Sequence, residues 1–140
     1  MALKPQDVMV LLKLVAISGK EWSFNELAVD LAMSPSEVHA ASKRSLAAQL
    51  AVKRDGKLVP NIRNFEEFLM HGVRYAFYPE WGGMVRGMST LYGASPISEK
   101  LASSVEPLPV WPDPEGEARG AAFSPLYRSV PRAARADQAL

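Results

Sequence analysis

Nine residues carry the polar chemistry that is most regularly spaced in this 140-residue chain. Ser34, Ser36, His39, Ala40, Lys43 and Arg44 recur at helical intervals, and Lys53, Arg54 and Lys57 flank Asp55-Gly56. At 100° per residue, with Val38 as origin, Ser36, His39, Ala40, Lys43 and Ala47 share one side of a helix and Arg44 lies beside it. Val38, Ala41, Ser42, Ser45 and Gln49 share the other. A face of small, basic and hydrogen-bonding residues without Asp or Glu suits contact with a polyanion: small residues permit close approach, and Lys or Arg reach guanine edges or phosphates. Bond-breaking chemistry finds no counterpart, since no motif supplies a nucleophile, paired acids or a phosphate-cradling glycine loop. Gly82-Gly83 to Gly87 with Arg86 reads as a turn rather than an anion loop.

Charge is concentrated at the same place. In residues 34–63, Lys43, Arg44, Lys53, Arg54, Lys57 and Arg63 stand against Glu37 and Asp55, leaving +4. The whole chain is +1, so the remainder carries −3. The plain alternative is that these cations are solvated surface residues. The sequence contains no cysteine, and His39 and His71 are 31 intervening positions apart, so no metal or cofactor is expected and no enzyme activity is indicated. His39 reads as a base or phosphate contact, and His71 as a partly buried hydrogen-bonding residue.

The elements that position these residues follow from stop and start signals. Pro5 suits a first turn, and Gln6 to Ile17 runs unbroken to Ser18-Gly19; its apolar residues surround the axis, which predicts a buried central helix. Val8 to Ile17, interrupted by Lys13, is half the length of about 20 residues needed to cross a bilayer, and neither it nor the preceding Lys4 makes a convincing secretory signal. The expected compartment is the cytoplasm, with no membrane partner. Ser23 and Glu26 form a capping box for a second helix ending at Ala32-Met33. Ser34, Pro35 and Glu37 give three coincident start signals for a third helix, from Pro35 to about Gln49. Ser42 and Ser45 occupy inner positions where a packed core usually places leucine; their hydroxyls can bond back to carbonyls one turn earlier, but little apolar area is gained. Two β-prone arms then surround Asp55-Gly56, a strong hairpin signal. A fourth helix is predicted from Asn64, with Glu66 and Glu67 in its first turn, and Tyr75, Phe77, Tyr78 and Trp81 are expected to be covered.

Helix, short turn, helix and hairpin read as a mainly α fold with a small β-hairpin wing. Trp22 to Leu31, Met33-Ser34-Pro35-Ser36-Glu37-Val38, Lys43-Arg44 and the Asp55-Gly56 wing resemble bacterial winged helix-turn-helix regulators of the MarR-like kind, over the first half of the chain. That resemblance implies sequence-specific binding of double-stranded DNA, usually as a homodimer, with the third helix in the major groove and the wing on the backbone or minor groove. By position it implicates Ser36, His39, Lys43 and Arg44 on the helix and Lys53, Arg54 and Lys57 on the wing. That family dimerises through long helices at both termini, whereas the part after Tyr78 is proline-rich here, so the family's dimer mode and effector pocket do not carry over. Winged helices also dock proteins, so an antitoxin-like or complex-subunit partner is the alternative.

Seven of eleven prolines fall in the last 45 residues, and the composition changes near Tyr78. The chain is thus expected to divide into a winged helix-turn-helix module, 1–78, and a Pro/Gly-rich extended tail, 79–140, that serves as a strap in dimerisation. Trp111, Phe123 and Tyr127 would anchor the strap, and Ala133 to Leu140 is compatible with helix.

Overall fold

A computed structural model describes residues 2–100, 107–137 and 140. It is a mixed α/β protein in which helices dominate, built as two compact units: Met1–Tyr78 together with Leu126–Leu140, and Pro79–Pro125. The compositional break at Tyr78 is therefore a structural one. The continuous extended tail is not observed, because residues 126–140 return to the first unit and residues 79–125 form strands.

The first unit opens with α1 (Pro5–Ala16), α2 (Phe24–Leu31) and α3 (Pro35–Ala47). Both predicted N-caps form, but only the second closes as a full capping box. Ser23 Oγ accepts from the Glu26 amide at 3.1 Å; Ser34 Oγ accepts from the Glu37 amide at 3.2 Å, while Glu37 Oε2 accepts from the Ser34 amide at 2.8 Å. Ala32, at φ 52°, ends α2 in the left-handed region, and three residues link it to α3. α3 stops at Ala47, two residues before the predicted end, because Gln49 adopts φ 60° and the Leu50 amide donates back to the Ser45 carbonyl.

β1 (Ala51–Arg54) and β2 (Lys57–Pro60) then pair antiparallel from Ala51↔Pro60 to Arg54↔Lys57. Asp55 and Gly56 both have positive φ, 53° and 75°, as a two-residue turn matched to strand twist demands. α4 (Ile62–His71) starts earlier than expected: the cap is Asn61, whose side chain accepts from the Asn64 amide, so Glu66 and Glu67 fall in the second turn. A short α5 (Val73–Ala76) follows. The core of the unit comes mainly from α1 (Val8, Met9, Val10, Leu11, Leu14), met by Leu27 and Leu31 of α2, Val38 and Ala41 of α3, Leu58 of the hairpin and Phe65 of α4. The predicted central role of the first helix is observed, except that Val15 is 41% exposed.

In the second unit, β3 (Trp81–Ser89) leads through a 3₁₀ turn (Leu91–Gly93) and α6 (Ile97–Lys100) to β4 (Pro109–Pro112) and β5 (Ala118–Phe123). β3 is antiparallel to both other strands, β4 and β5 are parallel, and each strand pairs with the other two, closing a small barrel. Gly82, Gly83 and Gly87 lie within β3 rather than in a turn. The interior is too narrow for side chains at Gly87 and Gly120: a Cβ at the first would strike the Trp111 carbonyl oxygen, and one at the second the Leu108 carbonyl oxygen.

α7 (Val130–Ala136) belongs to the first unit and buries Pro131 and Ala133. Among the described residues no helix is long and apolar enough to cross a membrane.

Candidate nucleic-acid interface

The polar residues of the first unit divide into an engaged set and an open set, and α3 carries members of both. Asp7, with no exposure, begins inside the apolar face of α1. Its Oδ2 accepts from the Lys4 amide at 2.8 Å, and its two carboxylate oxygens receive Arg44 Nε and an Arg44 terminal nitrogen, each at 2.8 Å. This bidentate pair, with the Arg44 side chain only 12% exposed, holds the guanidinium still more firmly protonated than usual, chiefly through the hydrogen bonds to Asp7. Arg44 is therefore a fastener between α1 and α3, and is withdrawn from the set of residues expected to contact an outside ligand. The reason is local: a carboxylate forced inward by the apolar periodicity of α1 requires a cation, and Arg44 is in reach.

Glu37 and Arg44 are seven positions apart and so share a flank of α3. The chain leading into α7 closes on that flank. The Tyr127 hydroxyl donates to Glu37 Oε1 at 2.6 Å, and an Arg128 terminal nitrogen lies 3.3 Å from the same oxygen. The Tyr127 hydrogen bond first, and the Ser34 amide second, hold the Glu37 carboxyl below its ordinary value. Burial, reinforced by Glu37, raises the Tyr127 phenol above its own. Ser45 is wholly buried and its hydroxyl finds no partner among the described residues, so the available bond to an earlier carbonyl is not made.

The opposite flank is open. Ser36, His39 and Lys43 are exposed and Ala40 is half-buried. Ser34 is exposed as well, but its hydroxyl is committed to the cap and lies 3.1 Å from Ser36 Oγ. His39 does not swing freely: its ring stacks on Phe24, centroids 4.1 Å apart and planes at 29°, and Trp22 meets Phe24 edge-on at 5.3 Å. α2 thereby fixes the direction in which the imidazole edge points. On the hairpin, Lys53, Arg54 and Lys57 are all exposed. Register separates them: Arg54 and Lys57 are directly opposite and project from one face, whereas Lys53 pairs with buried Leu58 and projects from the other. Among the described residues, Lys43, Lys53, Arg54 and Lys57 make no ion pair.

No known family, curated protein or solved structure matches this chain. Its chemistry is read from its own side chains.

Two further features bear on what those side chains can do. A cleft of about 390 Å³ between α1, α2 and α7 is lined by Trp22, Lys20, Glu26 and Asp30, but its buried cation, Lys13, is already neutralised by Asp137 at 2.6 Å and Asp30 at 3.7 Å. Among the described residues, no three His, Asp or Glu side chains gather as a metal site. Asp7 and Lys13 carry no expectation from the sequence, whereas Tyr127 is expected as an anchor of the tail but not with Glu37 as its partner. A signal existed for the first two, since a lone acid and a lone base inside an apolar helix must find partners.

Tyr75, Tyr78 and Trp81 are 73%, 71% and 55% exposed, against the expectation that such a dense aromatic run is covered. His71 is exposed too. In the first unit, Ile62 and Met70 of α4 add to this uncovered apolar surface at 56% and 58%.

Proposed function

We propose that the chain is a sequence-specific DNA-binding regulator in which α2 and α3 act as a helix-turn-helix, α3 enters the major groove, and the β1–β2 hairpin is a wing on the neighbouring backbone. The observation that carries this reading is the contrast in cation use. Lys13 and Arg44 are buried against carboxylates, while Lys43, Lys53, Arg54 and Lys57 are exposed on one helix and its adjoining hairpin and make no ion pair among the described residues. His39 and Lys43, with Ser36 one turn earlier, supply donors toward base edges, and Ala40 keeps the surface low enough for close approach. Arg54 and Lys57, together at the hairpin tip, neutralise phosphate. The Phe24 ring pre-sets His39, which lowers the entropy lost on contact.

The test is selection of a bound sequence from a random duplex library, followed by gel shift. Lys43→Ala or His39→Ala should weaken binding to the selected duplex by roughly tenfold, about what one base contact supplies. A double variant that shifts the duplex as well as the parent chain would reject the contact face.

The exposed Ile62, Met70, Tyr75 and Tyr78 favour a second, compatible element, a contact between two copies through α4 and α5. Light scattering of the parent chain should give twice the 15.3 kDa chain mass, and Met70→Glu with Ile62→Glu should halve it.

A further inference from the structure

The β3–β5 ribbon places two arginines directly opposite each other. Arg86 of β3 and Arg119 of β5 are direct cross-strand partners, both exposed, and neither makes an ion pair among the described residues. The unit from Pro79 to Pro125 holds only three basic residues, Arg86, Lys100 and Arg119, against six acidic ones, so this is a matter of placement rather than of a generally cationic surface. Like charges directly opposite on a sheet are unfavourable. They also cannot turn inward, because the inner face at Gly87 and Gly120 has no room even for a methyl group.

The same strand pair continues into exposed apolar side chains. Met84, opposite Ala121, is 50% exposed. Beyond the register shift between Trp81 and Met84, Trp81 opposes Phe123, their rings 4.9 Å apart in an edge-to-face contact at 69°. That contact holds the indole in place while 55% of Trp81 stays open. An anchored, half-open indole on the same strand pair as two cross-strand arginines offers stacking and phosphate neutralisation together.

We propose that this outer face binds an unpaired nucleic-acid strand, with a phosphate between Arg86 and Arg119 and a base on Trp81. A bound phosphate converts the Arg–Arg repulsion into a shared charge-assisted contact. The unit would then be a second nucleic-acid surface, of different selectivity from α3, and it stands on separate observations from the duplex reading.

The experiment is a fluorescence-anisotropy titration of fluorescein-labelled oligothymidylate with the full chain. The parent chain binds, with quenching of tryptophan emission that Trp81→Ala removes. Arg119→Glu lowers the affinity by about tenfold or more. The same substitution replaces a like-charge pair by an opposite-charge one, so it raises the thermal midpoint by roughly 2–4 °C, which excludes misfolding as the cause of lost binding. Joint replacement by lysine, Arg86→Lys with Arg119→Lys, retains most of the affinity. A selected duplex titrated in parallel reports on α3 separately: Arg119→Glu lowers the ratio of single-strand to duplex affinity. Absence of oligothymidylate binding by the parent chain, or equal binding by Arg119→Glu, would overturn the proposal. So would competition by polyglutamate as effective as competition by unlabelled oligothymidylate, since the face would then take any polyanion and the indole would have no part.

Discussion

Lys43 and Arg44 are neighbours of the same charge on one helix, yet they belong to different regions of the molecule. Arg44 faces the flank that α1 and the Tyr127 segment close, where every charge has a partner: Asp7 with Arg44, Glu37 with Tyr127 and Arg128. Lys43 faces the open flank it shares with Ser36 and His39, where it makes no ion pair among the described residues. The difference teaches that net charge in a segment overstates what is available to a ligand. Of the cations that make residues 34–63 strongly positive, Arg44 is spent on holding α3 to α1, and the outward potential is correspondingly carried by Lys43 and the hairpin.

The sharpest way to break the comparison is to remove a partner on the closed flank. Asp7→Ala leaves the Arg44 guanidinium buried and uncompensated, and should cost about 3–5 kcal/mol of stability by urea denaturation. An equal loss in Lys43→Ala would mean that the two flanks are not distinct. The next effect is on binding rather than folding: Lys43→Ala should lose about 1–3 kcal/mol of affinity for a selected duplex while its stability changes by less than about 0.5 kcal/mol.

Two smaller effects refine the picture of the closed flank. Ser45→Ala removes a buried hydroxyl that has no partner, and should stabilise the chain by about 1 kcal/mol. Tyr127→Phe removes the hydrogen bond to Glu37, whose side chain is 28% exposed, so the expected loss is also only about 1 kcal/mol by thermal unfolding. The pH dependence fixes the sign. Because the folded protein holds the Glu37 carboxyl below its ordinary 4.5, its contribution is complete above that pH and fades as the pH falls through the lowered folded value. Tyr127→Phe should flatten this acid limb and leave the loss at neutral pH.

Much of the first unit was legible in the sequence because its signals are local. Ser23 with Glu26, Ser34-Pro35 with Glu37, and Asp55-Gly56 each act within a few residues, and each produced the cap or turn its chemistry requires. Outward and inward sides of α3 followed from periodicity, as buried Val38 and Ala41 against exposed His39 and Lys43 demonstrate. Long-range pairing was not legible. Asp7 meets Arg44 across 37 positions and Tyr127 meets Glu37 across 90, distances at which spacing carries no information. The second unit is not legible for a related reason: prolines and glycines signal loops, whereas Gly87 and Gly120 serve strands that approach too closely for any other residue. Proline likewise stands at both ends of β4 although that strand pairs with β3 and β5.

The most direct measurement is the salt dependence of duplex binding by the parent chain and by the double variant Arg54→Ala with Lys57→Ala. If the hairpin tip neutralises two phosphates, the slope of log affinity against log salt should become shallower by roughly 1.8 in the variant, with the selected sequence still preferred. Identical slopes and affinities in the two proteins would contradict the assignment of the open cationic surface to DNA.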